Sequence, residues 1–380
     1  MKHTQLKKVG FGSTSLAIVL SVVVGLEIYA FGQPSSKVPD TYLFNDSHFH
    51  LTNYIQKGTD IHKYLEIMGD KVGRSTLFGI PLQQTWSYAN SGDFAPTYYL
   101  QSDASLYYYS FTDAFIASTY LKLKPEERQR LDPMITGFNP ADMYAADHIR
   151  RVLETFPGVF SGIGEFSIHK EFVSSKVAGD TASLTNPALD RILDFAGEVG
   201  LVVILHNDID MPFAKTGAEP VYLKQMKELL RRHPKTTIIW AHLGLGRVVR
   251  PGGEASPEVG ERSRPFQNIV NSILGDAAFS HVYFDISWDE VAKYAVASPE
   301  AIKVSSETFN KYPDRFLFGT DNVAPSDQAT QMRVYDMWAP VWRQLTAEAS
   351  QKVRLGNYER LFDEARRKVR AWEQKNVNRQ

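Results

Sequence analysis

Eight short apolar runs, each followed by a helical pattern, constrain this chain more than any other feature of its sequence. The runs are YLFNDSHFH (42–50), STLFGIP (75–81), LDPMITGF (131–138), VFSGIGEF (159–166), GLVVILH (200–206), TTIIWAH (236–242), HVYFDIS (281–287) and RFLFGTD (315–321). Stretches such as NPALDRILDFAGEVG and SPEAIKVSSETFNKYP lie between them, several stopping at Gly or Pro where the next run begins. Strands that are apolar nearly throughout belong to a parallel sheet buried on both faces. Eight such units in about 320 residues predict a closed (β/α)8 TIM barrel over 42–363 rather than an open doubly wound sheet. No G-x-G-x-x-G follows the first run, which removes the usual sign of a dinucleotide site.

Composition narrows the partners. The 380 residues are 43% hydrophobic and 22% charged, as in an ordinary globular protein. A formal net charge of −1 with scattered Lys and Arg gives no reason to expect nucleic acid. The densest basic run, RRKVR at 366–370, reads as a solvated face of a polar C-terminal helix or tail over 364–380. Cysteine is absent, so any metal must bind through His, Asp, Glu or a modified Lys. Residues 1–33 combine the basic start MKHTQLKK with LAIVLSVVVGLEIYAFG, apolar apart from Ser21 and Glu27. That pairing reads as a signal peptide cleaved before Gln33 or as an uncleaved membrane anchor. Either way the protein is expected to be exported, periplasmic or held at the membrane.

The chemistry gathers at the ends of the runs. Alternate residues of a strand face one side, so His48 and His50 of HFH are expected to project together. Glu165 in GIGEF, His206 in VILHND, His242 in IIWAHLG and Asp321 in LFGTDN occupy the same strand-end position. Any one of them has an ordinary reading, as a hydrogen-bonded core histidine or a helix cap. Six polar groups converging at one barrel mouth are costly to bury without a counter-charge. A divalent cation bound by imidazole nitrogens and carboxylate oxygens removes that cost, with zinc, manganese and iron all suited to the donors.

This ordered set resembles the amidohydrolase superfamily, in particular its amidohydrolase-2 branch of metal-dependent hydrolases and decarboxylases. HLG after the sixth run, FGTD at the eighth and GNYERLF at 356–362 are similar to that branch as well. The resemblance implies one ion on His48, His50, His206 and Asp321, with His242 orienting substrate or water. GIGEF is more like the TatD-type deoxyribonuclease branch, in which a fourth-strand Glu bridges two metals. On that pattern Glu165 would bridge, and a second ion would take His206 and His242. One ion is the preferred reading. A carboxylated Lys170 is a weaker bridge, because it lies beyond the strand end.

The expected reaction is hydrolysis of an ester, lactone or amide of a small molecule, with Asp321 as general base and His242 polarising the carbonyl. The alternatives are a decarboxylase, a TatD-like two-metal nuclease, or a metal-binding barrel without catalysis. Around the centre, Asp285 and Ser287 alternate so that one is expected to reach the mouth. Arg247 reads equally as a contact for a substrate carboxylate or phosphate and as the partner of an acidic residue in 247–265. His169 reads as a solvated or hydrogen-bonded residue. The long stretches 82–130, rich in Tyr, and 247–265 read as lids or as surface insertions.

Overall fold

The computed structural model describes residues 42–53, 58–80, 109–170, 173–174, 176–177, 180–212, 219–247 and 259–377. The N-terminal segment 1–33, most of the tyrosine-rich stretch and most of 247–265 lie outside the described residues. Among the described residues, no helix is long and apolar enough to cross a membrane.

Each apolar run contributes a strand. In chain order these are β1 (Phe44–Asp46), β2 (Phe49–His50), β3 (Val72–Leu77), β4 (Leu131–Ile135) and β5 (Gly162–Ser167). The short pieces β6 (His169–Lys170), β7 (Val173–Ser174), β8 (Lys176–Val177) and β9 (Asp180–Thr181) follow. After them come β10 (Val202–His206), β11 (Ile238–Trp240), β12 (Val282–Asp285), β13 (Phe316–Leu317) and β14 (Asn322–Val323). Eight form one parallel sheet in the order β1-β3-β4-β5-β10-β11-β12-β13, while β6–β7 and β8–β9 pair as antiparallel ribbons.

The sheet curls until its ends meet. Asn322 of β14 pairs in parallel with Phe49 of β2, and the Ser47 amide donates to the Phe318 carbonyl at 3.0 Å. The first run is therefore two strands, β1 and β2, with Ser47 and His48 in the break between them. That break lets the first strand pair with β3 on one side and close the ring on the other.

Side-chain alternation sorts the core into two layers. Val202 and Ile204 pack in an inner cluster with Met134, Ile239 and Leu317, while Val203 and Leu205 pack outward against the helices. His206 continues the inward phase of Val202 and Ile204 and so arrives inside the mouth. The helices start and stop on signals that the sequence carries. Pro187–Val199 is capped by the Asn186 side chain and ends on Gly200 at φ 85°, and Pro299–Lys311 is capped by Ser298.

The closed end of the barrel corrects one expectation. The helix Asn357–Asn376 runs through the 363/364 boundary, with Tyr358, Phe362, Val369 and Trp372 buried. Its basic run is solvated only at Arg367 and Lys368, while Arg366 and Arg370 turn toward the barrel. Arg366 Nε lies 2.5 Å from Asp132 Oδ1, Arg74 holds the same carboxylate at 2.9 Å, and Arg370 donates to the Phe160 carbonyl. Asp132 is fully buried, and an ionised carboxylate there requires those guanidiniums.

Candidate metal centre

All six candidate residues meet at the open end. Three overlapping groups of donors lie with their ligating atoms within 4.8 Å of one another: His48–His50–Glu165–Asp321, Glu165–His206–His242 and His48–His242–Asp285.

In the first group the spacing is informative. His48 Nε2 lies 3.5 Å from Glu165 Oε2 and 3.4 Å from Asp321 Oδ1, and His50 Nε2 lies 3.4 and 3.2 Å from the same two oxygens. Most of these separations are long for hydrogen bonds. Donors placed tetrahedrally about 2.0–2.1 Å from a zinc ion stand roughly 3.3–3.4 Å apart. The group has the dimensions of a coordination shell. It also contains Glu165 where the family resemblance implies His206, which sits in the second group instead.

Hydrogen bonds then decide which ring nitrogen each histidine turns inward. His48 Nδ1 is 2.8 Å from Asp285 Oδ2, and His50 Nδ1 is 3.1 Å from the Gly79 carbonyl. His206 Nε2 is 3.0 Å from Asp208 Oδ1. Each of these outer nitrogens donates to an oxygen, so the inner nitrogen of each ring is the one a cation would take in place of a proton. His242 requires one more step. Ser287 Oγ lies 2.5 Å from Asp285 Oδ1 and must supply the proton of that contact, because the carboxylate already accepts from the His242 amide. Ser287 has a single hydroxyl proton, so at 2.8 Å it accepts from His242 Nδ1. His242 Nε2 therefore faces inward without a proton when the ring is neutral. His48 Nε2 and His242 Nε2 are both buried without a hydrogen-bond partner, which is the condition a cation satisfies.

Charge balance agrees. Burial opposes ionisation of Glu165, yet the charges of Lys170 and His48 hold its carboxyl well below the usual range. Burial likewise opposes Asp321 and Asp285, and the neighbouring histidines, His242 and His48 first, keep both lowered. Burial pushes His242 below its ordinary value and toward the neutral ring. At His48 the opposition of burial is overcome by Asp285 and Glu165, which raise it well above the ordinary value.

Backbone geometry holds the donors where strands end. His242 (φ 55°) and Asp321 (φ 55°) sit in left-handed conformations just beyond their strands, which for a non-glycine residue costs about 1–3 kcal/mol. Each is anchored by another part of the site. The His242 amide donates to Asp285 and the Asp321 amide to the His48 carbonyl, both at 2.8 Å. Gly164 precedes Glu165 at φ 116°, where an added Cβ would lie 2.3 Å from the Ile204 carbonyl oxygen, so only glycine fits.

The surrounding residues complete the site. Both Asp285 and Ser287 reach the centre. Asp208, which the apolar runs did not single out, orients His206; its signal was its position two residues after His206 at the same strand end. Arg247 approaches Glu290 at 3.6 Å, outside the 247–265 stretch, and also lies over Trp288. His169 is half-buried and stacked on Tyr222 at 4.0 Å, with burial pushing its pKa down to about 4. Lys170 Nζ lies over Trp288, 5.5 Å from the ring centroid.

The fold and donor set define a (β/α)8 barrel of the metal-dependent enzyme class. A family model described as amidohydrolase matches residues 46–363, and the chain belongs to that family, in its amidohydrolase-2 branch. Among solved structures it is similar to an amidohydrolase from Burkholderia multivorans with bound zinc, at 13% identity over 84% of this chain and 99% of that one, TM-score 0.50. It also resembles a protein from Pseudomonas putida described as a 2-pyrone-4,6-dicarboxylic acid hydrolase (14% identity, 85% and 98% covered, TM-score 0.46). A third is 2,6-dihydroxybenzoate decarboxylase in complex with 2,6-dihydroxybenzoate (13% identity, 79% and 87% covered, TM-score 0.45). No curated protein sequence matches the chain.

Proposed function

We propose that this protein is an exported hydrolase that opens an ester, lactone or amide bond of a small molecule. The observation that carries the reading is the four-donor group of His48, His50, Glu165 and Asp321, spaced as a coordination shell with the inner ring nitrogens facing the two carboxylates. His48, His50, Glu165 and Asp321 would hold a divalent cation, with zinc the expected ion for a compact nitrogen and oxygen set. Bound there, such an ion would make water nucleophilic near neutral pH, since zinc can lower the pKa of water from 15.7 to about 7.

The chain's own groups do the rest. Asp321 is ionised, and at 12% its side chain is the most exposed of the four, against 0% for His48, 6% for His50 and 7% for Glu165. It is therefore the carboxylate able to take a proton from the attacking water and return it to the leaving group. Asp285 and Ser287 keep His48 and His242 in fixed orientations, so the donors need no rearrangement during turnover. Export rests on the basic and apolar N-terminal segment.

A second reading concerns ion count. Glu165 directs Oε2 to His48 and His50, and Oε1 to His206 at 2.7 Å and His242 at 3.3 Å. The inward lone pair of His242 supports a ligand role for it and weakens the role of polarising a carbonyl, which needs an N–H. That geometry supports, as the second reading, a further cation on Glu165, His206 and His242. Metal analysis of the purified protein, paired with assays for acid release from aryl esters and lactones and for carbon dioxide release, tests these readings. Acid release by metal-loaded protein supports the hydrolase. Carbon dioxide release alone transfers the site to decarboxylation, and protein without bound metal removes the reading altogether.

A further inference from the structure

Behind the turn that carries Asp321, four buried polar side chains close a ring of hydrogen bonds. Asp46 Oδ1 accepts from the amides of His48 at 3.1 Å and Thr320 at 2.9 Å, and its Oδ2 accepts from the Thr320 hydroxyl and from Gln331 Nε2, both at 2.7 Å. Four donors fill the acceptor sites of a carboxylate, so Asp46 has no proton to give. The Gln331 amide must therefore turn its nitrogen to Asp46 and its oxygen to Asn322, whose Nδ2 lies 3.0 Å away. The Asn322 amide donates to Thr320 Oγ1 at 3.2 Å and completes the ring. Asp46, Thr320, Asn322 and Gln331 are all buried.

We propose that Gln331 is a positioning residue for Asp321, holding the turn that aims this carboxylate at His48 and His50. The proposal rests on the metal reading of the site and gives it a support from outside the strand ends, since Gln331 lies on the helix Gln328–Met337. Asp321 sits at φ 55°, a conformation that persists only where the surroundings over-determine it. Its own amide, bonded to the His48 carbonyl, fixes one point. Thr320 and Asn322 flank it, and the ring fixes both: Thr320 through Asp46, Asn322 through Gln331. Because Asp46 Oδ1 also takes the His48 amide, the same ring sets His48 and Asp321 relative to each other. Without Gln331, Asp46 keeps three of its four donors, and the Asn322 side chain keeps only the carbonyls of Thr330 and Gln331. The barrel then still closes, and the loss falls on the turn.

Two measurements on the full-length protein test this. Hydrogen exchange of the metal-free protein, read by mass spectrometry, reports the turn directly. Gln331→Met is expected to speed exchange by about tenfold or more in peptides covering 318–324, with those covering 131–135 at the closed end unchanged. Zinc affinity, measured against a competing chelator, is expected to fall by about tenfold or more in the same variant, as for other lost orienting partners. Gln331→Glu sets two carboxylates against each other and is expected to lose more; adding Asp46→Asn returns a donor to that contact and is expected to recover most of the loss. Arg366→Ala, which weakens the closed end, is expected to keep the parent affinity. Parent-like exchange at 318–324 overturns the proposal. So does parent-like zinc affinity in Gln331→Met, an equal loss in Arg366→Ala, or a double variant that recovers nothing. A parent that binds no zinc fails the metal reading instead, and the exchange result still decides whether Gln331 holds the turn.

Discussion

Asp285 Oδ2 lies 2.8 Å from His48 Nδ1, while Oδ1 of the same carboxylate accepts from the His242 amide and the Ser287 hydroxyl. One fully buried aspartate of the seventh barrel strand thus sets the orientation of two histidines from the first and sixth. Replacing Asp285 with alanine frees both rings, and loss of such an orienting partner lowers metal affinity by about 10–100-fold. Competition with a chelator measures this directly. An unchanged affinity would show that Asp285 does not orient the ligands.

Asp321→Asn is expected to leave the barrel folded and lower kcat by about 10²–10⁴-fold, the usual size of a lost general base. Circular dichroism and metal content check the fold and site, and steady-state kinetics on an aryl ester check the loss. Activity equal to the parent would contradict the proton-transfer role.

Metal counting separates the two readings of Glu165. With a single ion on His48, His50, Glu165 and Asp321, His242→Ala retains the full metal content of the parent. With a second ion on Glu165, His206 and His242, the parent holds two ions per chain and His242→Ala holds one. Elemental analysis after dialysis against buffered zinc decides between them.

At the closed end, Arg366→Ala and Arg74→Ala each leave the buried Asp132 carboxylate short of a partner. Breaking a buried ion pair by removing one side costs about 3–5 kcal/mol. Because each variant retains the other arginine and Tyr358, whose hydroxyl donates to Asp132 at 2.8 Å, the lower part of that range is expected. Urea denaturation is the measurement, with metal content unchanged as the control.

Asp113 gives a pH dependence. It is fully buried, accepts from the amides of Thr136 and Gly137, and burial raises its pKa to about 7 from 3.8. The folded state therefore binds this proton more tightly than the unfolded chain. Its contribution to stability is complete below pH about 4 and is lost as pH rises through about 7. Asp113→Asn should flatten that decline, so that the stability lost between pH 5 and pH 8 is smaller than in the parent. Parallel urea titrations at the two pH values provide the comparison, and equal losses would count against it.

Much of the architecture was legible because it is encoded locally. Alternation in GLVVILH carries Val202, Ile204 and His206 inward together, and Asn186-Pro187 and Ser298-Pro299 announce their helices within a few residues. The strand-end histidines and acids could be named for the same reason, since each closes an apolar run. Boundaries were less legible: the first run divides into β1 and β2, and His242 and Asp321 leave their strands for left-handed turns that no apolar pattern marks.

What local pattern could not contain was pairing across the chain. The grouping of Glu165 with His48, His50 and Asp321, the tie from Asp285 to His48, and the embrace of Asp132 by Arg74 and Arg366 join residues tens to hundreds of positions apart. Periodicity dictates which side of a strand a residue faces. Which atoms then meet depends on strand stagger and on how the ring closes, and only the folded barrel determines those distances.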